Sequence, residues 1–126
     1  PMGVTSVTYT GPVYGAVNTG GIVTRAEGNF SLEANLSSHT LQGLDIDFAD
    51  MRFGIAMPVS FPSGSSGVSY NGINLVNTGT GSSSDITGVT NGAFFGPQAE
   101  NVGGNFVVRN NVTGTSAAGV YTGARP

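Results

Sequence analysis

The segment Gly92–Val108, "GAFFGPQAENVGGNFVV", has the pattern of two β-strands joined by one compact turn. Its first apolar run ends in two aromatic residues, and a Gly-Pro pair then interrupts the strand. The Glu100 carboxylate can cap the turn by accepting backbone N–H groups, and Pro97 suits the first position of a helical turn. Gly103-Gly104 allows the next strand to begin close to its neighbour. We therefore predict a specialised hairpin connection here.

Alternating apolar and polar residues extend this strand pattern through the chain. The clearest cases are "GNFSLEANLS" at 28–37 and "TLQGLDIDF" at 40–48, in which every second residue is apolar. A period of two residues predicts strands with one buried face. Further strands are predicted in "VTSVTYTG", "VYGAVNTGG", "RFGIAMPVSF", "VSYNGINLVN", "ITGVTNGAFFG", "GNFVVRN" and "SAAGVYTGA".

Two positions in these strands leave alternatives open. Pro58 cannot donate to a sheet, so it predicts an edge position, a bulge or a strand end. The Asn71-Gly72 pair is a strong hairpin signal, but one strand with a bulge fits it equally well.

Eight or nine short antiparallel strands, each with one apolar face, must pack as a sandwich or close into a barrel. Glycines in the middle of strands suit the sharp bends of a small barrel; they are Gly43, Gly54, Gly88 and Gly119. We predict an all-β fold, a small antiparallel up-and-down β-barrel of about eight strands. We expect residues 1–3 to be a cloning remnant and residues 4–126 to form a single β-barrel domain, excised from a longer surface or secreted protein.

Composition excludes several classes of function. The 126-residue chain has a net charge of −3, and its four basic residues are all arginines, so we predict no binding to nucleic acid. No apolar stretch approaches the roughly 18 residues of a membrane span. There is no Cys, no Lys and only one His, which argues against nucleophilic catalysis and a zinc site. We therefore predict no enzyme activity, no catalytic residue and no resident cofactor.

Two groups of polar or charged residues are candidate sites. Asp45, Asp47 and Asp50 lie close together in sequence, and carboxylates with loop carbonyls suit calcium; a solvated strand face is the alternative. Met51 and Arg52 lie at a strand entry, where a loop can meet a partner protein; a plain turn is the alternative.

The aromatic residues are predicted to lie mostly in the core by alternation. Phe94 and Phe95 are adjacent, so on a regular strand one of them faces outward and becomes a candidate contact for a partner.

The C-terminal third of the chain carries a family resemblance. "NGAFFGPQAENVGGNFVV" at 91–108, followed by "GTSAAGVYTGAR" at 114–125, resembles the transferrin-binding-protein-like β-barrel family. That family includes the barrel domains of transferrin-binding protein B, factor H binding protein and haemophilin-type haem carriers. The matching positions are Gly92, Phe94, Phe95, Gly96, Pro97, Ala99, Glu100, Gly103, Gly104, Phe106, Gly119, Val120 and Tyr121.

The resemblance implies an eight-stranded up-and-down barrel filled by side chains, a bacterial outer-membrane or secreted location, and a non-enzymatic binding role. Haem carriers of the family can ligate iron through a loop histidine, which makes His39 in the "SSHT" turn a candidate haem ligand. An exposed turn histidine is the alternative. The sequence departs from the family's lipoproteins in lacking a Cys for lipidation.

These observations predict a non-enzymatic binding module at the bacterial cell surface or outside the cell. Its expected role is iron or haem acquisition or contact with a host protein. The alternative is a structural or secretion-related terminal domain of a large surface protein, with no small ligand.

Overall fold

The computed structural model describes residues 6–35, 38, 40–56, 58–60, 63–64, 67–95 and 99–125. Within these residues the chain forms ten β-strands in one antiparallel sheet, with a short 3₁₀-helix, Ser83–Asp85, before β8. The strands are β1 (Ser6–Thr19), β2 (Ile22–Asn35), β3 (Thr40–Phe48), β4 (Met51–Gly54), β5 (Val59–Ser60), β6 (Ser63–Gly64), β7 (Gly67–Asn77), β8 (Ile86–Phe95), β9 (Asn101–Asn110) and β10 (Ser116–Ala124).

Eight of the strands close into an up-and-down barrel. Each pairs with the next barrel strand along the chain, in the order β1, β2, β3, β4, β7, β8, β9 and β10, and β10 pairs back with β1. The two-residue strands lie outside this circle, β5 beside β3 and β6 beside β7. The prediction of an all-β antiparallel barrel of about eight strands is therefore confirmed.

The first hairpin is longer than predicted, because two predicted strands form the single strand β1. Pro12 does not end the strand; it lies opposite Asn29 of β2, and the pairing of β1 with β10 skips it. The chain turns instead at Gly20-Gly21, which have φ angles of 60° and 90° that favour glycine. β2 then begins at Ile22, six residues before the predicted alternating run.

The two open alternatives are both resolved. Asn71-Gly72 lies inside β7, where the register with β8 shifts between Tyr70 and Ile73, so the bulge prediction is correct and the hairpin is not. Gly72 has a φ of 62°, which a bulge of this kind favours. Pro58 lies between β4 and β5 and is a strand-end proline.

The predicted helical turn at Pro97 begins outside the described residues, and its described part is not helical. Ala99 has a φ of 53°, and β9 starts at Asn101. Two long-range hydrogen bonds hold the turn. The Tyr9 hydroxyl donates to the Ala99 carbonyl at 2.6 Å, and the Arg125 N–H donates to the Glu100 carbonyl at 3.1 Å.

Aromatic side chains fill the barrel. Their rings pack in three groups with centroids 4.8–6.0 Å apart, which are Tyr9–Phe94–Tyr70, Phe30–Tyr121 and Phe48–Phe106–Phe53. Their packing depends on two glycines that pair across β8 and β9. A Cβ on Gly92 would lie 2.3 Å from the Tyr70 hydroxyl, and one on Gly104 would lie 2.5 Å from that of Tyr121.

A hydroxyl network lies at the centre of this core. The Tyr70 and Tyr121 hydroxyls are 2.7 Å apart, and Tyr121 is also 2.7 Å from Thr90 Oγ1, which donates to the Asn105 carbonyl at 2.8 Å. Burial raises the pKa of both tyrosines above the usual value of about 10. The network therefore satisfies polar groups that the aromatic core would otherwise leave buried without partners.

The glycine at position 104 is expected to be indispensable for packing. Gly104→Ala should lower the free energy of unfolding by about 3 kcal/mol, because the new methyl group overlaps the Tyr121 ring and the Asn91 carbonyl. Gly43→Ala is the matched control, since its Cβ would lie 3.9 Å from the nearest atom, a side-chain carbon of Glu33. Urea denaturation of both variants measures the difference. Equal stabilities would contradict the packing argument.

The buried tyrosines predict a loss of stability at alkaline pH. Above pH 10 the unfolded chain releases tyrosine protons that the folded chain retains, so the free energy of unfolding falls as pH rises. Tyr70→Phe should cost about 1 kcal/mol at pH 8 through the lost hydrogen bond, but should lose less stability than the wild type between pH 9.5 and about 11.

The control for this measurement is Tyr14→Phe, because the Tyr14 side chain is exposed on the barrel exterior. It should keep the pH dependence of the wild type in urea denaturation at each pH. A Tyr70→Phe variant with the full alkaline loss would show that burial of this hydroxyl is not the cause.

Candidate functional site

Four connections meet at one end of the barrel and form what we call the loop rim. They are the turns at residues 20–21, 49–50, 78–85 and 111–115, which join β1 to β2, β3 to β4, β7 to β8 and β9 to β10. The first residue of β1 and the last residue of β10 lie at the opposite end. The loop rim is therefore a surface built by four separate hairpin connections.

Two clefts open at the loop rim, with volumes of about 440 and 470 Å³. The first is bounded by Arg52, Asn77, Thr80, Asp85, Ile86 and Val112, and the second by Val17, Thr19, Thr24, Arg25, Ala26 and Thr115. Both clefts are also lined by Asp50, Met51, Asn110 and Thr113, so they adjoin at the β3–β4 turn.

Asparagine side chains hold two of the rim loops in place. The Asn77 amide donates to the carbonyls of Thr80 and Ser82 at 2.9 and 3.0 Å, and its carbonyl accepts from the Gly79 N–H at 3.1 Å. The Asn110 carbonyl oxygen accepts from the N–H groups of the second and third residues after it. Both loops are thus ordered by local side-chain to backbone bonds.

The loop at 78–85 is further fixed by a capping box. Ser82 and Asp85 satisfy each other's backbone N–H groups across the short 3₁₀-helix, and Gly81 must lack a side chain, since a Cβ would lie 2.5 Å from the Asp85 carboxylate. The Asn111 N–H donates to the Asp85 carbonyl at 2.7 Å, and its side chain donates to the Ser84 carbonyl at 3.0 Å. The two loops therefore support each other.

Charges at the loop rim differ in how they are compensated. The Arg52 guanidinium forms an exposed ion pair with Asp45, with N–O distances of 3.2 Å, and the Thr78 hydroxyl donates to the same carboxylate at 3.1 Å. The side chains of Arg25 and Asp50 make no hydrogen bond or ion pair with the described residues. These two side chains are available to a ligand at the surface.

The structure places the predicted partner contacts at this same end. Arg52 is 56% exposed and borders the first cleft. Met51 is only 6% exposed and contributes to the core as well as to both clefts. A contact with a protein partner at these residues stays a prediction, with Arg52 as the accessible member of the pair.

The predicted calcium ligands are not gathered into one site. Residues 45, 47 and 50 are all described, and the described part of the chain contains no group of three His, Asp or Glu side chains that could hold a metal ion. Asp45 is engaged by Arg52 and Thr78 instead. The geometry therefore gives the calcium prediction no support.

The two remaining candidates have different outcomes. His39 lies outside the described residues, so haem ligation by this side chain stays a prediction. Phe94 is 7% exposed and packs in the core, whereas Phe95 is 54% exposed and lies 3.2 Å from where a Cβ on Gly103 would stand. One phenylalanine of the pair faces outward, as the alternation predicted.

Sequence reasoning did not predict that the rim loops are held in a defined conformation. The segment at 78–85 reads as a flexible Gly- and Ser-rich loop, but it contains Ser82-x-x-Asp85, the signature of a capping box before an apolar run. The asparagines that end β7 and β9 carry no comparable signature, because their role depends on the turn that each one enters.

Chemically, the loop rim offers amides, hydroxyl groups and two uncompensated charges above an apolar floor. Within the described residues no helix is long and apolar enough to cross a membrane. These groups are suited to a recognition surface, since carboxylates, amides and a guanidinium bind polar groups with defined geometry.

No protein-family model and no curated protein matches this sequence. Solved structures do match its fold. Transferrin binding protein B from serogroup B Neisseria meningitidis aligns with a TM-score of 0.62 and 18% identity over 96% of this chain. A mutant of transferrin binding protein B from Haemophilus parasuis aligns with a TM-score of 0.59 and 13% identity over 95% of it. The intact two-lobed Ap-TbpB aligns with a TM-score of 0.56 and 14% identity over 95%.

The match covers only part of each of those proteins. This chain spans 25–26% of their length, so it corresponds to a single module within them. Sequence identity of 13–18% shows that the fold is shared, but it does not show which ligand this chain binds. The resemblance read from the C-terminal strands is thereby confirmed at the level of fold: this chain has the β-barrel fold found in transferrin binding protein B.

Proposed function

We propose that this barrel is a non-enzymatic binding module, displayed on the bacterial surface or secreted, that contacts a protein partner through its loop rim. The observation that supports it most directly is the rim itself. Its loops are held by their own hydrogen bonds, while the side chains of Arg25 and Asp50 at its clefts have no partner among the described residues. A preordered surface with available charges loses little conformational entropy on binding.

The tightly packed interior of the barrel favours a binding site on its outer surface. Tyr9, Tyr70, Tyr121 and Phe106 are at most 1% exposed and are packed ring against ring. A ligand the size of a porphyrin would have to displace this core. Binding to the loops therefore fits the structure better than binding inside the barrel.

The structural neighbours support both a binding role and a surface location. They carry the name transferrin binding protein B, and two of the H. parasuis structures are described as a vaccine antigen. We infer a role in iron or haem acquisition or in contact with a host protein. A structural or secretion-related terminal domain is the second candidate, favoured by the small share of its neighbours' length that the chain covers.

A transferrin titration tests the iron-acquisition form of the proposal. Immobilised barrel should bind transferrin, and Asp50→Arg should weaken the binding at least about tenfold by reversing a charge at the junction of the two clefts. Biolayer interferometry with iron-loaded and iron-free transferrin measures the dissociation constants.

Glu33→Arg is the matched control for this titration. It makes the same change of charge on an exposed position of β2, nearer the opposite end of the barrel, and should change the dissociation constant less than twofold. Absence of transferrin binding by the wild type would exclude the iron-acquisition form of the proposal. Equal loss in both variants would indicate a general charge effect and not a rim site.

Haem binding at His39 is a prediction separate from the loop rim, because the next residue, Thr40, begins β3 at the opposite end of the barrel. Titration with haemin should give a sharp Soret band that His39→Ala abolishes and that added imidazole restores, because imidazole replaces the lost axial ligand. Absorbance spectroscopy checks this directly. A wild type without the band, or a His39→Ala variant that keeps it, would contradict haem ligation by this residue.

A further inference from the structure

The outer face of β8, β9, β10 and β1 forms a continuous surface that we call the neutral wall. Alternation along each strand points every second side chain outward, and the residues between them face the core. The outward residues are Thr87, Val89, Asn91, Ala93 and Phe95 on β8, Asn101, Gly103, Asn105, Val107 and Arg109 on β9, Ser116, Ala118, Val120, Thr122 and Ala124 on β10, and Thr10, Pro12, Tyr14, Ala16 and Asn18 on β1.

Strand register brings the apolar members of the neutral wall side by side. Ala16, Ala118, Val107 and Val89 lie directly opposite one another across all four strands. In the neighbouring row Tyr14 lies opposite Val120. The larger of these side chains are strongly exposed, with 58% for Val107, 53% for Val120 and 49% for Tyr14.

Charge is distributed very unevenly around the barrel. The neutral wall carries one charged residue, Arg109, which lies in its row nearest the loop rim. The exterior of β2, β3 and β4 carries six charged residues, which are Arg25, Glu27, Glu33, Asp45, Asp47 and Arg52. All seven acidic residues of the chain lie off the neutral wall. One side of the barrel thus carries many charged residues, and the other carries only Arg109 and is partly apolar.

The dimensions of the neutral wall set the strength of any contact that it makes. Four strands spaced about 4.8 Å apart are about 19 Å wide, and five rows of outward residues extend about 27 Å along them. A flat face of this size would have an area of about 500 Å², and two such faces would bury about 1,000 Å² together. Because the four strands curve around half of a closed eight-stranded barrel, the buried area is below that value, which predicts a weak, concentration-dependent association.

We propose that the neutral wall is the interface of a homodimer, with a second copy of this chain as its occupant. The chain has a net charge of −3, so two copies repel one another unless their carboxylates are kept apart. Contact through the neutral wall places the acidic β2–β3 exteriors on opposite sides of the dimer. Contact through the charged side would bring acidic residues of the two copies together.

The composition of the neutral wall also suits contact with itself. A charged partner would have its charges desolvated against a face with no counter-charge except Arg109, which is unfavourable. The Asn91 side chain accepts from the Gly72 N–H at 2.7 Å and donates to Asn105 Oδ1 at 3.3 Å, so the Asn105 amide N–H groups are the ones directed to a second copy. Small residues such as Ala16, Ala118 and Gly103 allow two sheets to pack at the usual separation of about 10 Å.

Sedimentation equilibrium of the wild-type chain from 1 to about 500 µM tests the proposal. We expect a monomer–dimer equilibrium with a dissociation constant on the order of 10 µM. Val107→Glu and Val120→Glu should each weaken it at least about tenfold, because each buries an unpaired carboxylate at the centre of the contact.

Ile22→Glu is the matched control. It replaces a β-branched residue that is 71% exposed at the tip of the first hairpin, outside the neutral wall, and should leave the dissociation constant within twofold. Circular dichroism melting of the variants verifies that they remain folded. A wild type that stays monomeric throughout, or a dimer equally weakened by Ile22→Glu, would overturn the proposal and leave the wall to a different uncharged partner.

Discussion

The structure depends on how an eight-stranded barrel accommodates two tyrosines at its centre. Gly92 and Gly104 lie opposite each other on β8 and β9, and the absence of their side chains provides the space for Tyr70 and Tyr121. The two hydroxyls are 2.7 Å apart, and the Tyr121 hydroxyl is also 2.7 Å from Thr90 Oγ1, so both have hydrogen-bond partners inside the core. Phe94 packs against the Tyr70 ring and Phe30 against the Tyr121 ring. A barrel filled in this way is rigid, and its recognition surfaces must lie outside.

Much of the fold could be predicted because a half-buried strand leaves a period of two in the sequence. Phe30, Leu32 and Ala34 are all buried, and the polar residues between them are exposed, as alternation indicates. Closure of the sheet into a barrel could be predicted from the number of strands and from mid-strand glycines. One of these is Gly88, where an added Cβ would lie 2.2 Å from the Val107 carbonyl. These are local signals with a direct physical cause.

The parts that sequence reasoning misjudged depend on contacts distant in the chain. Two separate strands are predicted before and after Pro12, yet β1 continues past it because β2 supplies a partner strand along its whole length. Tyr14 is an exception to the prediction that the aromatic residues lie mostly in the core, because β1 turns it outward beside Val120. The candidate site was only partly visible, since Arg52 could be named from a strand entry, whereas the bonds of Asn111 to Ser84 and Asp85 form only where two loops meet in the fold.

The loop rim and the neutral wall are geometrically independent surfaces. The loop rim lies at the strand ends, where each turn has its own supporting bonds, and the neutral wall lies along the strand sides, where register alone aligns the residues. The charges follow the same division, with Arg25, Asp50 and Arg52 at the rim clefts and only Arg109 on the wall.

This separation means that a dimer formed through the neutral wall would leave both loop rims uncovered. Two rims on one particle raise the effective concentration of the second once the first has bound, without any new contact. A rim of modest intrinsic affinity would then hold a multivalent or clustered partner more tightly than a single barrel does. Low charge on the wall and available charge at the rim are therefore compatible features, because each serves a different contact of the same rigid barrel.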